Sequence, residues 1–377
     1  MKKSLSNFAS FLVATALALA ICELALRAFH PQTLGVWQKT RDGILTLRPN
    51  ENGIFHGIET SQRYRTNSFG MRDREHRIEK EERAFRILLL GDSQMEGLQV
   101  PFEYSFPKLL EDKLSQSTGQ SVEVINLAVS GWGTDDELTY LIRYGRRLRP
   151  DLILVAVTLH NDVLDNLKQQ FHSVVDNKLV TNQVQKIPFA AYKLLQLKFF
   201  LTAHSHSYQL IRRWWNSKTV ERSTRQLGAH KADLIRKEPS KQLAKGWRMM
   251  QMLLKEINAI GKEMDAETVI FLIPLEIQLN DEKLAALLIN RDLSRDSIFL
   301  ARPQQVMKEI GKMEGITVID LLPYFRQWQA KNHQLLFLRY DGHFTEEGHE
   351  LAANLVADCL RPSLSSASRT EPVKCNE

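Results

Sequence analysis

The sequence predicts a three-layer α/β domain on a central parallel sheet, preceded by an apolar N-terminal helix and interrupted by a helical insertion. Three observations predict it. Apolar runs of strand length, clearest from Asp151 to Leu159, are nearly unbroken, as strands covered on both faces require. Segments of helical spacing alternate with these runs. Glycine or polar turns close several of the runs, where a parallel sheet binds its ligands. The 377 residues hold 25% charged and 43% hydrophobic side chains, enough to build a core, which excludes global disorder. Three cysteines exclude a disulfide scaffold and speak against a multi-cysteine zinc or iron–sulfur site.

Taken in order, Lys2 and Lys3 precede an uncharged run of 19 residues, Ser4 to Cys22, before Glu23 and Arg27. A basic flank before an apolar stretch is an export signal. Its length also suits a retained membrane span, with the lysines cytoplasmic and the remainder exported. Ala16-Leu17-Ala18 and Ala18-Leu19-Ala20 would permit cleavage. The reading is therefore a signal anchor or signal peptide over 1–30. Residues 31–82, polar and punctuated by Pro31, Pro49, Gly53 and Gly57, read as a lead-in linker.

The domain runs over 83–361. Phe85–Leu90 is a strand meeting the turn Gly91-Asp92-Ser93, and 106–117 has helical spacing. Val122–Leu127 is a second strand leading to Ser130-Gly131-Trp132-Gly133. Asp135–Leu148 is a helix with acids first and arginines last. Asp151–Leu159 is the third strand, ending in His160-Asn161-Asp162. Thr268–Pro274 and Gly315–Leu321 complete the set. Between strands three and four, about 167–250, no strand of the sheet is expected. Residues 211–250 hold eleven Lys/Arg against three Asp/Glu, a net of +8, so the chain's +6 sits in this insertion. Residues 362–377 read as a tail. Cys359 and Cys375, close in sequence, either pair or stay free.

Several of these strand ends carry chemistry. A serine hydroxyl becomes a nucleophile when a base takes its proton, and Ser93 and His343 supply the two groups. Asp341 would hold the imidazole tautomer and stabilise its cation. The Ser93 and Gly131 amides and the Asn161 side chain would stabilise an oxyanion.

The set Gly91-Asp92-Ser93, Gly131, Asn161-Asp162 and Asp341/His343 resembles the four blocks of the SGNH (GDSL-type) hydrolases over about residues 83–360. The resemblance implies a flavodoxin-like α/β/α fold. It implies Ser93 as nucleophile and oxyanion donor, Gly131 and Asn161 as the other donors, His343 as base and Asp341 as its partner, with no cofactor. The usual block places Asp three residues before His. Here the spacing is two and Tyr340 stands three back, a spacing similar to that of alginate O-acetyltransferase-like relatives.

The expected function is an exported, single-pass serine esterase acting on an O-acyl, foremost O-acetyl, group of a cell-envelope carbohydrate or lipid. An O-acyltransferase using the same acyl-enzyme and an inactive binding module are the alternatives. His160 either faces the site or packs. Trp132 either lines its mouth or fills the core. His349 is expected to begin a helix, and His204/His206 lack a carboxylate pattern for metal. Export speaks against nucleic acid as the partner of the basic, Trp-containing insertion and favours anionic lipid or acidic glycan.

Overall fold

The computed structural model describes residues 2–365, apart from 169, 184, 185 and 333. Cys375 and most of the expected tail lie outside them. The first helix, α1 (Lys2–Phe29), contains a segment, Ser10–Phe29, long and apolar enough to cross a membrane, and no residue of it is buried. A signal sequence near the N-terminus has the same character.

The stretch 31–82 departs from the linker expected. It folds into two antiparallel hairpins, β1 (Trp37–Lys39) with β2 (Leu45–Leu47) and β3 (Asn52–His56) with β4 (Ser61–Arg65). Strands of three to five residues offer too few alternating positions to show their period. The stretch also buries a charge. Arg72 is 1% exposed and donates to the carbonyls of Glu96, Gly97 and Val100, which makes its burial tolerable.

The domain continues through β5 (Phe85–Gly91), α2 (Ser93–Glu96), α3 (Phe106–Thr118), β6 (Val122–Ala128), α4 (Thr134–Tyr144), β7 (Leu152–Thr158) and α5 (Asp162–Asp165). A hairpin of β8 (His172–Val175) and β9 (Lys178–Thr181) follows, then α6 (Phe189–His204), α7 (His206–Ile235) and α8 (Lys241–Glu263). The chain closes with β10 (Glu267–Ile273), α9 (Asp281–Asn290), α10 (Arg302–Glu314), β11 (Thr317–Asp320), α11 (Leu322–Lys331) and α12 (Glu346–Ser365). Helix α12 passes Pro362 and so extends into the expected tail.

Five parallel strands form the central sheet in the order β11-β10-β7-β5-β6. Side chains alternate between its faces. Leu88, Leu90, Ile153, Val155, Ile270 and Leu272 join the core beneath α4, α8 and α10. Ile87, Leu89, Leu154, Val269 and Phe271 join the core beneath α3, α11 and α12. Both faces are covered, which is why the strands read as unbroken apolar runs. The chain builds outward from β5 to β6, then crosses back to β7 and proceeds the other way. Strand order therefore reverses between β5 and β7, and the crevice at their carboxyl ends is the natural binding position.

The insertion is more than helical. Hairpin β8–β9 turns through Asp176 and Asn177 at φ 48° and 61°, the two left-handed residues of a primed turn. The Asp-Asn pair was the signal available in the sequence. Helix α8 begins in the insertion and ends in the sheet's outer layer, burying Leu253, Leu254 and Ile257 completely.

Candidate active site

Strand β5 ends at the switch point, and Asp92 caps α2 by accepting from the Gln94 N–H at 3.0 Å. Its carboxyl has no exposed surface. It also accepts from the Thr158 hydroxyl at 2.9 Å and the Asn161 amide at 3.0 Å, so one side chain fastens the end of β5 to the end of β7. Ser93 follows, partly exposed, at the first position of α2. It lines a cleft of about 400 Å³ together with Gly131, Asp341 and His343.

His343 reaches this cleft from a loop far down the chain. Its Nδ1 lies 2.7 Å from Asp341 Oδ1. Donation from Nδ1 to the carboxylate leaves Nε2 with the lone pair that a base needs. The two-residue spacing works because Gly342, at φ 76°, reverses the chain and folds the carboxylate back onto the ring. Two side chains hold the loop. Gln94, 1% exposed, donates to the Gly342 carbonyl at 3.1 Å and accepts from the Phe344 N–H at 3.0 Å, bracketing His343 on both sides. Glu59, in the β3–β4 turn, accepts from the N–H groups of Arg339, Tyr340 and Asp341. Among the described residues no hydrogen bond joins Ser93 to His343 in this conformation. Such bonds often tighten only around substrate.

Gly131 occupies a turn closed by the Trp132 N–H on the Val129 carbonyl, with φ 81°. A Cβ there would meet nothing within 4 Å, so glycine answers to the backbone angle rather than to crowding. Neither the Ser93 nor the Gly131 N–H donates to a protein acceptor among the described residues. The third expected donor is placed differently. Asn161 Nδ2 is engaged by Asp92 and by Asp165 at 3.3 Å, its Oδ1 is buried without a partner, and the residue does not line the cleft.

Buried acids surround the Ser93 turn. Burial raises the Asp92 carboxyl, against the bonds from Asn161, Gln94 and Thr158 that lower it. Glu137 and Asp162 are raised well above the carboxylate range, first by burial and then by the charge of Asp92. Both Glu137 oxygens and Asp162 Oδ1 lack hydrogen-bond partners among the described residues, as neutral acids tolerate better than anions. Glu96, one turn after Ser93, accepts from the Ser130 hydroxyl and from Trp37 Nε1 at 3.0 Å. Burial lifts it to about 7. Sequence reasoning missed Glu96, Gln94 and Glu59, because none carries a motif and each acts across a long stretch of chain.

The remaining candidates resolve into structure. Trp132 is fully buried, donates to the Leu45 carbonyl at 2.9 Å and packs on Tyr140, so it fills the core. His349 is 1% exposed, accepts from the Phe106 N–H at 3.3 Å and is pushed down to about 3 by burial and then Arg72. His160 is lowered to about 3 by burial, then by the charges of Lys231 and His343, and it does not line the cleft. His206 accepts from the Gln32 N–H. No cluster of metal-ligating side chains occurs among the described residues. Beyond the four residues foreseen, the cleft wall comes from Trp37, Phe55 and His56 of the N-terminal hairpins and from Arg213 of α7.

Residues 230–376 match the family model described as SGNH hydrolase-like domain, acetyltransferase AlgX. An arylesterase of Vibrio mimicus is 43% identical over 72 residues, 19% of this chain and 36% of that protein, so the chain spans about a third of that relative's length. Among solved structures, the psychrotrophic esterase EstA from Pseudoalteromonas sp. covers 74% of this chain and 99% of its own at 13% identity and TM-score 0.40. The acetyl xylan esterase AlAXEase covers 72% and 96% at 10% identity and TM-score 0.40. The lipase/acylhydrolase from Enterococcus faecalis covers 74% and 96% at 16% identity and TM-score 0.37. The match to an SGNH hydrolase-like domain thus covers the carboxyl-terminal two fifths of the chain, and the five-stranded parallel sheet is the fold class the sequence predicts.

Proposed function

We propose that the protein is a serine esterase, tethered to the membrane by α1 with its domain on the extracytoplasmic side. It cleaves O-acyl esters, foremost O-acetyl groups, on a cell-envelope carbohydrate or lipid. The observation that carries this reading is the gathering of Ser93, Gly131 and the Asp341–His343 pair on one cleft. Ser93 Oγ attacks the ester carbonyl while His343 Nε2 takes its proton. Asp341 balances the imidazolium. The oxyanion collects the free amides of Ser93 and Gly131, each such donor worth roughly 10²–10³ in turnover. The tetrahedral adduct collapses, His343 protonates the departing alkoxide, and an acyl-serine remains. Water, deprotonated by His343, attacks that acyl group, and the carboxylate leaves as Ser93 recovers its proton. Asn161 joins the donors only by releasing Asp92 or Asp165.

A second reading replaces water by a sugar hydroxyl and yields an O-acyltransferase. It is favoured by the matched family, named for an acetyltransferase, whose stretch includes Asp341 and His343. One assay series tests both. The full chain in detergent should hydrolyse p-nitrophenyl acetate, and Ser93→Ala should lose the activity by about 10³-fold or more. Equal rates in the two proteins would remove the mechanism and leave a binding module. Acylated product on adding an oligosaccharide acceptor would decide for transfer.

A further inference from the structure

Helix α6 exposes its apolar side chains. Phe189, Leu194, Leu197 and Phe200 lie along its outward arc and are 52–69% exposed. Leu195 and Phe199 turn inward, so both sides are apolar where a surface helix has one polar face. Helix α7 continues the patch with Ile211, Trp214 and Trp215, the two tryptophans 74% and 78% exposed. Lys193, Lys198 and Arg212 stand among them, also exposed.

The position of this patch is fixed by α1. Glu23 accepts from the N–H groups of His206 and Ser207 at 2.8 and 2.9 Å and from the Ser205 hydroxyl, capping α7. Arg27 donates to the His204 carbonyl at 2.6 Å. The uncharged run of α1 ends one residue before Glu23, and its length of roughly 28 Å matches a hydrocarbon core of about 30 Å. The α6–α7 corner is thus bonded to α1 at the level where that helix leaves the hydrocarbon. Apolar side chains, paired tryptophans and cations on two helices joined at that corner suit an anionic membrane interface.

We propose that the α6–α7 corner is a second, in-plane membrane contact, seated in an anionic phospholipid leaflet beside α1. This rests on the reading of α1 as a membrane span. Its consequence concerns the substrate. Arg213, next to Trp214, donates to Thr33 Oγ1 at 2.8 Å, and both residues line the cleft with Ser93. The cleft therefore opens at the headgroup layer and serves esters presented there rather than in the bulk phase.

The full chain, with Cys22→Ser, is placed in phosphatidylglycerol/phosphatidylethanolamine nanodiscs with one nitroxide label through Val13→Cys, Leu197→Cys or Glu309→Cys. Oxygen should relax the labels at 13 and 197, and a water-soluble nickel chelate the label at 309. Nickel access at 197 with oxygen access at 13 overturns the docking while α1 still spans. Nickel access at both overturns the anchor reading and the docking with it. Shielding of 197 from both reagents, with spin–spin broadening, means that a second copy covers the patch and also overturns it. A paired measurement uses Leu197→Glu/Phe200→Glu. Hydrolysis of an acetyl ester of a vesicle-embedded lipid should fall at least tenfold, with p-nitrophenyl acetate hydrolysis unchanged. Equal loss on both substrates, or none on either, overturns the proposal.

Discussion

Ser93 and His343 share a cleft but are held in opposite ways. The serine turn grows from the middle of the sheet, and buried bonds from Asp92 to Gln94, Thr158 and Asn161 tie it to regular elements on both sides. The histidine loop lies outside the sheet, beside the single bridge between Phe337 and Phe344. Its supports are individual side chains, buried Gln94 from within and exposed Glu59 from outside. The fold places Ser93, while side chains place His343. His343 should therefore be movable without loss of the fold, and the serine turn should not.

Asp341→Asn gives the largest expected effect on the loop side. The amide stabilises no imidazolium and favours the wrong tautomer, so kcat should fall roughly 10²–10⁴-fold with KM and Tm nearly unchanged. A fall of less than about tenfold in steady-state kinetics would mean that another group orients His343.

On the serine side the readout is stability against pH. Glu96 rises from 4.5 to about 7 on folding, chiefly through burial. The folded state keeps a proton that the unfolded chain has released, so stability falls as pH rises from about 4.5 through about 7, by on the order of 3 kcal/mol. Glu137 and Asp162 act in the same direction. Urea unfolding at pH 5 and pH 8 should show a shallower dependence for Glu96→Gln. An unchanged slope would place the titration on other groups.

Gln94 joins the two regions. Gln94→Ala should lower kcat roughly 10–100-fold by releasing the loop and cost about 1–3 kcal/mol for its buried partners. Kinetics and thermal melts on one preparation separate the two effects, and loss of stability alone would make Gln94 a packing residue. Glu59→Ala should do least, below about 1 kcal/mol and a few-fold in kcat, because its partners reach water. A larger loss would make the outer support the dominant one.

What could be read from the sequence follows the same division. The sheet strands were legible because two covered faces force unbroken apolar runs, and Ser93 and Gly131 because each follows such a run. The Asp341–His343 contact was legible as a spacing, although its geometry needs the positive φ of Gly342. Gln94 and Glu59 were not, since a polar side chain declares neither its partner nor its distance along the chain. The lead-in was misread because hairpins of three to five residues have no measurable period. Asn161 carried its motif, but the motif does not say that Asp92 and Asp165 compete for its amide.

The two bonds from Gln94 join positions 248 and 250 residues apart. A chain that leaves the ribosome amino end first displays Ser93 long before His343 exists. Parallel sheets with such distant contacts close late. The cleft that gathers Ser93, Asp341 and His343 is thus completed late, after the strands that carry Ser93 have been made.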